Sequence, residues 1–213
     1  MKLTLFGATG EAGIMLIDKA LAAGHDVTAY ARNPSKLAGK SSILRIVSGE
    51  LSNAAAITKA IEGQDAVVSL LGPKPGAKGR PLGAGMSVIA NAMQATGVRR
   101  LIATSTPSSP DPADRSALSF RLAVRLIRAL QPDGYADIVA SAEVVRSSQL
   151  DWTLVRLPML TSKDGSAPPA VGYVGSPGLR LFWLSRNVLA DFVLSQLNDR
   201  TWLCKAPLIS NQK

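Results

Sequence analysis

The 213-residue chain has one cysteine, Cys204, and one histidine, His25, and only 5% of its residues are aromatic. A single cysteine excludes an internal disulfide and fits a reducing compartment. Within Thr201-Trp202-Leu203-Cys204 it reads as a buried structural thiol. With one His and one Cys far apart, a zinc site has no ligands. Ser105 and Ser108 have no histidine base nearby, and no Gly-x-Ser-x-Gly elbow occurs, which argues against a serine hydrolase. So few aromatics leave no stacking platform for single-stranded nucleic acid, and none is expected as a partner. No apolar run is long enough to span a bilayer. Met1-Lys2 leads straight into an apolar strand, with no secretory leader, so the cytoplasm is the expected compartment. Acidic residues are also scarce: 15 against 24 Lys and Arg, a formal charge of +9. Such a balance fits nucleic acid, an acidic membrane or anionic small molecules.

What the chain does have is concentrated at its start. Residues 3–13 read Leu-Thr-Leu-Phe-Gly-Ala-Thr-Gly-Glu-Ala-Gly, an apolar strand running into Gly7, Gly10 and Gly13 and then a helix. Gly7 allows a sharp turn at the strand end. Gly10, without a Cβ, lets a phosphate approach the backbone. Gly13 lets the helix pack on the strand. The free amides and positive dipole end of the helix then face an anion. This is the pattern of a dinucleotide pyrophosphate site.

Strand and helix alternate from there: strands at Leu3–Phe6, Val27–Ala31, Ile43–Val47, Ala66–Leu71 and from Leu101, with helices at Glu11–Ala23, Ala54–Glu62 and Met86–Thr96. Gly72–Gly85 reads as a Pro/Gly-rich loop. Right-handed crossovers give an α/β, doubly wound parallel sheet of Rossmann type, order 3-2-1-4-5-6, with room for a seventh strand near Pro207–Ile209 and helices on both faces. The second half is less regular: a loop over 104–113, helices at Ser116–Leu130 and Tyr135–Gln149, a strand at Trp152–Val155, a loop at Leu160–Pro169, a short strand at Ala170–Val174 and a helix at Val188–Leu197. A single domain, 1–213, with substrate-site elements from about 104 to 186, is the expected organisation. In Ser116–Leu130, Arg121, Arg125 and Arg128 share one helix face and Leu118, Leu122, Leu126 and Leu130 repeat by four, which reads as a solvated basic face over a packed apolar stripe. A rim for an anionic substrate and a partner surface are the alternative readings.

The second strand ends Tyr30-Ala31-Arg32, where an NAD-specific fold carries a carboxylate. Arg32 can fork onto a 2′-phosphate, with Lys36 four residues on adding charge, so NADP(H) is favoured. Glu50 and Leu51 fall where adenine would lie, and Leu71 and Gly72 along the ribose and nicotinamide path.

These motifs, with Leu101-Ile102-Ala103-Thr104-Ser105-Thr106, Asp151–Pro158 and Ser185–Phe192, resemble the atypical short-chain dehydrogenase/reductases, in particular the NAD(P)H-binding flavin reductase/biliverdin-IXβ reductase-like group. The resemblance implies that Gly7, Thr9, Gly10, Glu11 and Ala12 hold the pyrophosphate. It implies Arg32 and Lys36 at the 2′-phosphate, Glu50 and Leu51 at adenine, Leu71 and Gly72 at the ribose, and Pro158 and Met159 flanking the nicotinamide. The family's hydroxyl falls at Thr106, with Ser105 beside it. The chain departs from the wider family in lacking Tyr-x-x-x-Lys, since Tyr135 is followed four places on by Val139. Met159 stands where the bilin-reducing subgroup carries a His, and Asn187 where an acid is usual. The expectation is an NADPH-dependent reductase passing hydride to a flavin, bilin or quinone, acting as a monomer or weak homodimer. A basic rim of Arg115 or Arg121 with Lys74 and Lys78 would attract an anionic acceptor. The nitrogen metabolite repression regulators share these elements, so a non-catalytic dinucleotide sensor stays open. A nucleotide-sugar epimerase is disfavoured by the missing Tyr–Lys pair.

Overall fold

The computed structural model describes residues 1–40, 42–73, 79–115, 117–163, 165 and 167–212. Its elements run β1 (Lys2–Phe6), α1 (Glu11–Ala22), β2 (Asp26–Ala31), β3 (Arg45–Ser48), α2 (Ala54–Ile61), β4 (Ala66–Ser69), α3 (Pro81–Thr96), β5 (Arg100–Ser105), α4 (Leu118–Leu130), α5 (Pro132–Ser147), β6 (Asp151–Arg156), β7 (Met159–Thr161), β8 (Ala170–Gly172), β9 (Trp183–Ser185), α6 (Arg186–Ser195) and β10 (Leu208–Ser210). The main sheet has the order β3-β2-β1-β4-β5-β6-β10-β8. It is parallel except where β8 pairs antiparallel with β10. The expected 3-2-1-4-5-6 order is therefore the one observed, and the late strand joins it as the seventh.

Central strands are buried along most of their length because helices cover both faces. Side chains alternate between those faces. Leu3 and Leu5 of β1 join one core with Ile17 of α1 and Leu189, Phe192 and Val193 of α6. Phe6 joins the other, with Ile57 and Ile61 of α2, Met86, Ile89 and Met93 of α3, and Val145 of α5. Burying a large aliphatic side chain in this way stabilises by roughly 1.5–3 kcal/mol.

Several boundaries differ from the sequence expectation. Helix α3 begins at Pro81, five residues before Met86. Proline starts a helix well, since its missing N–H is one that has no intrahelical partner anyway. The amides next in line are answered from another helix: Asp137 of α5, buried, accepts from Leu82 N (3.0 Å) and Gly83 N (2.8 Å). The glycines that suggested a loop serve packing instead. A Cβ at Gly83 would stand 2.9 Å from the Cβ of Ala140, and one at Gly85 2.9 Å from Leu51 Cδ1. Helix α5 likewise starts at a proline, Pro132, ahead of the expected Tyr135. The Leu160–Pro169 stretch is not all loop, because β7 pairs in parallel with β9, Met159 opposite Trp183. Helix α4 forms as expected but buries none of its residues, so its apolar stripe is not packed. Cys204 is exposed, not buried: it sits in a left-handed turn (φ 53°) whose amide donates to Trp152 O at 2.7 Å.

Replacing Asp137 with Ala strands two amides at the buried start of α3. Urea unfolding should show a loss of about 2 kcal/mol, whereas Asp133→Ala, a substitution on the exposed first turn of α5, should change stability by no more than about 0.5 kcal/mol.

Candidate active site

The carboxyl ends of β1, β4, β5 and β6 converge on one cleft. Gly7 ends β1 in a left-handed conformation (φ 83°), and a Cβ there would press to 2.9 Å from the Leu70 carbonyl carbon and oxygen. The turn closes with Gly10 N donating to Gly7 O at 3.2 Å, and the first intrahelical bond runs from Ile14 N to Gly10 O. Gly10 caps α1 without a side-chain hydrogen bond. The amides of Glu11, Ala12 and Gly13 therefore have no helical acceptor. A Cβ on Gly13 would stand 2.9 Å from Ala8 Cα and closer still to Gly7 O, so helix and turn meet only through glycine. At Gly10 the nearest atom to such a Cβ is Gly7 O at 3.4 Å, an ordinary contact. Nothing among the described residues requires glycine there. Thr9 lies half-buried in the same turn. The Glu11 side chain turns away to Arg186 (3.1 Å), a guanidinium the sequence reading did not place near the turn.

Beyond the turn lies a cleft of about 200 Å³ walled by Leu70, Leu71, Gly72 and Pro73 after β4, Thr104–Thr106 at the end of β5, Leu157, Pro158 and Leu160 after β6, and Leu82, Ile138 and Ser141 from α3 and α5. Among the described residues this lining contains no titratable side chain. Its polar groups are hydroxyls and backbone. Thr106 Oγ1 is paired with Ser108 Oγ at 2.6 Å. Thr104 Oγ1 donates to Ser69 O at 3.2 Å. The Ser105 hydroxyl is buried and has no protein partner among the described residues, while its carbonyl is fixed by Leu157 N at 2.9 Å. Pro158 is a buried wall residue. Met159 is 65% exposed, stands beside Trp183 and is not part of the lining.

Arg32 and Glu50 come together at the ends of β2 and β3, Nε to Oε2 3.9 Å, with both side chains more than half exposed. An exposed pair at this separation contributes about 0–1 kcal/mol, so either partner reorients at little cost. Lys36 is exposed in the 3₁₀ turn Ser35–Lys40. Tyr30 donates to Glu50 O (2.8 Å). Burial, and then the Glu50 charge, raise the phenol above its ordinary pKa, so it stays a neutral donor. Leu51 is half-buried and packs on Gly85. Lys74 and Lys78 lie outside the described residues, and Arg115 and Arg121 are exposed.

The strongest polar fixture near the cleft is one the sequence reading missed. Arg156, at the end of β6, is fully buried. Its Nη atoms fork onto Asp114 at 2.7 and 2.8 Å, Nε donates to Ala206 O (2.9 Å) and Nη1 also to Ser109 O (3.3 Å). Asp114 in turn accepts from Val174 N and Asp111 N, both at 3.0 Å. The loop after β5 is thereby riveted to the strand that carries Leu157 and Pro158. An arginine closing the apolar run Trp152-Thr153-Leu154-Val155 was the available signal. Asp137 offered another: a carboxylate on the helical stripe of Ile138, Ala142 and Val145.

A Gly-turned β–α unit opening a parallel sheet, with a cleft outside the strand ends, defines a dinucleotide-binding, oxidoreductase-like fold. The chain belongs to the NAD(P)H-binding family, whose sequence model matches residues 7–200. It is 27% identical over 215 residues, 92% of this chain and 85% of the relative, to the UPF0659 protein C216.03 of Schizosaccharomyces pombe. Its fold is similar to that of a short-chain dehydrogenase/reductase from Veillonella parvula in complex with NADP (TM-score 0.80, 18% identity, 99% of this chain and 94% of the other). It is also similar to that of ChuY, an anaerobillin reductase from Escherichia coli O157:H7 (TM-score 0.78, 17% identity, 99% and 97%). Among the described residues no helix is long and apolar enough to cross a membrane.

Because Asp114 is the counter-charge of a fully buried guanidinium, Asp114→Ala should destabilise the protein by about 3–5 kcal/mol. Chemical denaturation would measure it, and Arg146→Ala, which removes only the looser 3.4 Å pair with Asp111, should cost far less.

Proposed function

We propose that the protein is an NADPH-dependent reductase that passes hydride to a conjugated acceptor such as a flavin, bilin or quinone. The observation that carries this reading is the open side of Gly10 next to three amides without helical acceptors, at the mouth of a cleft whose walls are apolar and hydroxyl-bearing. Gly7, Thr9, Gly10, Glu11 and Ala12 hold the diphosphate through backbone amides and the helix dipole. Arg32, reinforced by Lys36, forks onto the 2′-phosphate, while Glu50 and Leu51 border the adenine. Leu71 and Gly72 line the ribose path, and Pro158 closes the nicotinamide side, with Met159 at the outer rim of the site.

A bound nicotinamide supplies the hydride. The chain itself aligns and excludes water. A conjugated acceptor that takes its proton from solvent needs no protein acid, in keeping with a cleft that holds no titratable side chain among the described residues. Ser105 offers the hydroxyl best suited to orient the acceptor or the nicotinamide amide, since it is buried with no partner among the described residues, whereas Thr106 already shares a hydrogen bond with Ser108. The same features accommodate a dinucleotide sensor, and turnover separates the two.

Purified protein with NADPH and FMN, a bilin or a quinone should oxidise the coenzyme steadily at 340 nm. Tight NADP binding without turnover on any of the three would assign it to the sensors. Gly10→Ala should keep the melting temperature, because its Cβ meets only an ordinary contact, and should weaken NADPH binding about tenfold or more by calorimetry. Arg32→Glu should abolish the preference for NADPH over NADH, and a variant that kept it would remove Arg32 from the 2′-phosphate.

A further inference from the structure

Helix α4 presents its apolar side to solvent. Leu118, Leu122, Leu126 and Leu130 are 52–71% exposed. Spaced by four, they form one continuous row along the helix. Arg121, Arg125 and Arg128 form a second row, about a third of a turn away. The helix meets the rest of the protein through half-buried Phe120 and Val124, and none of its residues belongs to either core. Between Ala117 and Leu130 there is no acidic residue, and among the described residues these three arginines make no ion pair.

The occupant of this face must take four leucines and three unpaired arginines at once. Nucleic acid would neutralise the arginines and leave the leucines in water. A second copy would bury leucine on leucine but bring six arginines together with no carboxylate from α4 to answer them. Protein interfaces draw most of their energy from Trp, Tyr and Arg, with leucine under-represented; α4 offers the arginines but no exposed aromatic, and a groove built for it would have to rest mainly on four leucines while supplying carboxylates for the three arginines. An anionic lipid surface satisfies both rows: alkyl groups enter the acyl boundary and guanidinium groups stay among the phosphates. The chain's +9 charge adds a favourable long-range field. We propose that α4 is an interfacial helix that docks the protein on anionic bilayers. The chain on either side of α4 is tied near the cleft: Asp114, four residues before it, is bound to Arg156 at the end of β6, and Asp137 of α5 is bound to the start of α3.

The test uses the full chain with vesicles of phosphatidylcholine alone or mixed with phosphatidylglycerol, followed by co-sedimentation. Binding is expected to the anionic vesicles only and to fall as salt rises. Replacing all three arginines with Gln (R121Q, R125Q, R128Q) should lower partitioning about a hundredfold. Leu122→Ser with Leu126→Ser, at unchanged charge, should abolish it while leaving the melting temperature unchanged. Equal binding to both vesicle types, no binding, or full binding by the serine variant would overturn the proposal. So would a dimer in sedimentation equilibrium that the serine variant dissolves, which would assign the face to a second copy.

Discussion

The rest of the molecule is arranged around one steric constraint: helix α1 touches the turn after β1 with no side chain between them. Gly13 lies against Gly7 and Ala8, and Gly7 itself lies against the Leu70 carbonyl at the end of β4. At each of these two contacts one methyl group would fill the space between backbones. That contact brings the start of α1 level with the ends of β1 and β4, so that unbonded amides and the apolar walls after β4, β5 and β6 open on the same side. The close approach is also why two of the three glycines answer to the protein's own packing. Gly10 does not, and that freedom is what the proposed diphosphate site rests on.

Much of this could be read in the sequence because its causes are local. A glycine triplet between an apolar strand and a helix, and the alternation that follows, carry the order of the first six strands, since right-handed crossovers leave few other ways to connect them. Arg32 and Glu50 could be placed near each other for the same reason: both follow directly from parallel neighbouring strands. What could not be read depends on partners far along the chain. The start of α3 is fixed by Asp137, more than fifty residues later. Gly83 and Gly85 look like loop residues until the helix and the leucine they face are known. The Arg156–Asp114 pair joins a strand end to a loop whose own composition says only that it is irregular.

Helix α4 shows the converse. Its periodicity predicted the helix correctly, but periodicity says nothing about whether a neighbour exists to cover the apolar side. A leucine row is evidence of a surface that gains by leaving water; the covering layer need not come from the same chain.

Arg156 makes the region after β5 a single mechanical unit. One enclosed guanidinium is the common anchor for the segments around Ser109, Asp114 and, through that carboxylate, Val174. Asp114 cannot leave without stranding a cation in a dry interior, so the loop that carries it resists local opening, while Ser109 and Val174 add weaker ties to the same pair. The strand end that leads to Leu157 and Pro158 and the loop that leads to α4 therefore hang on one enclosed ion pair.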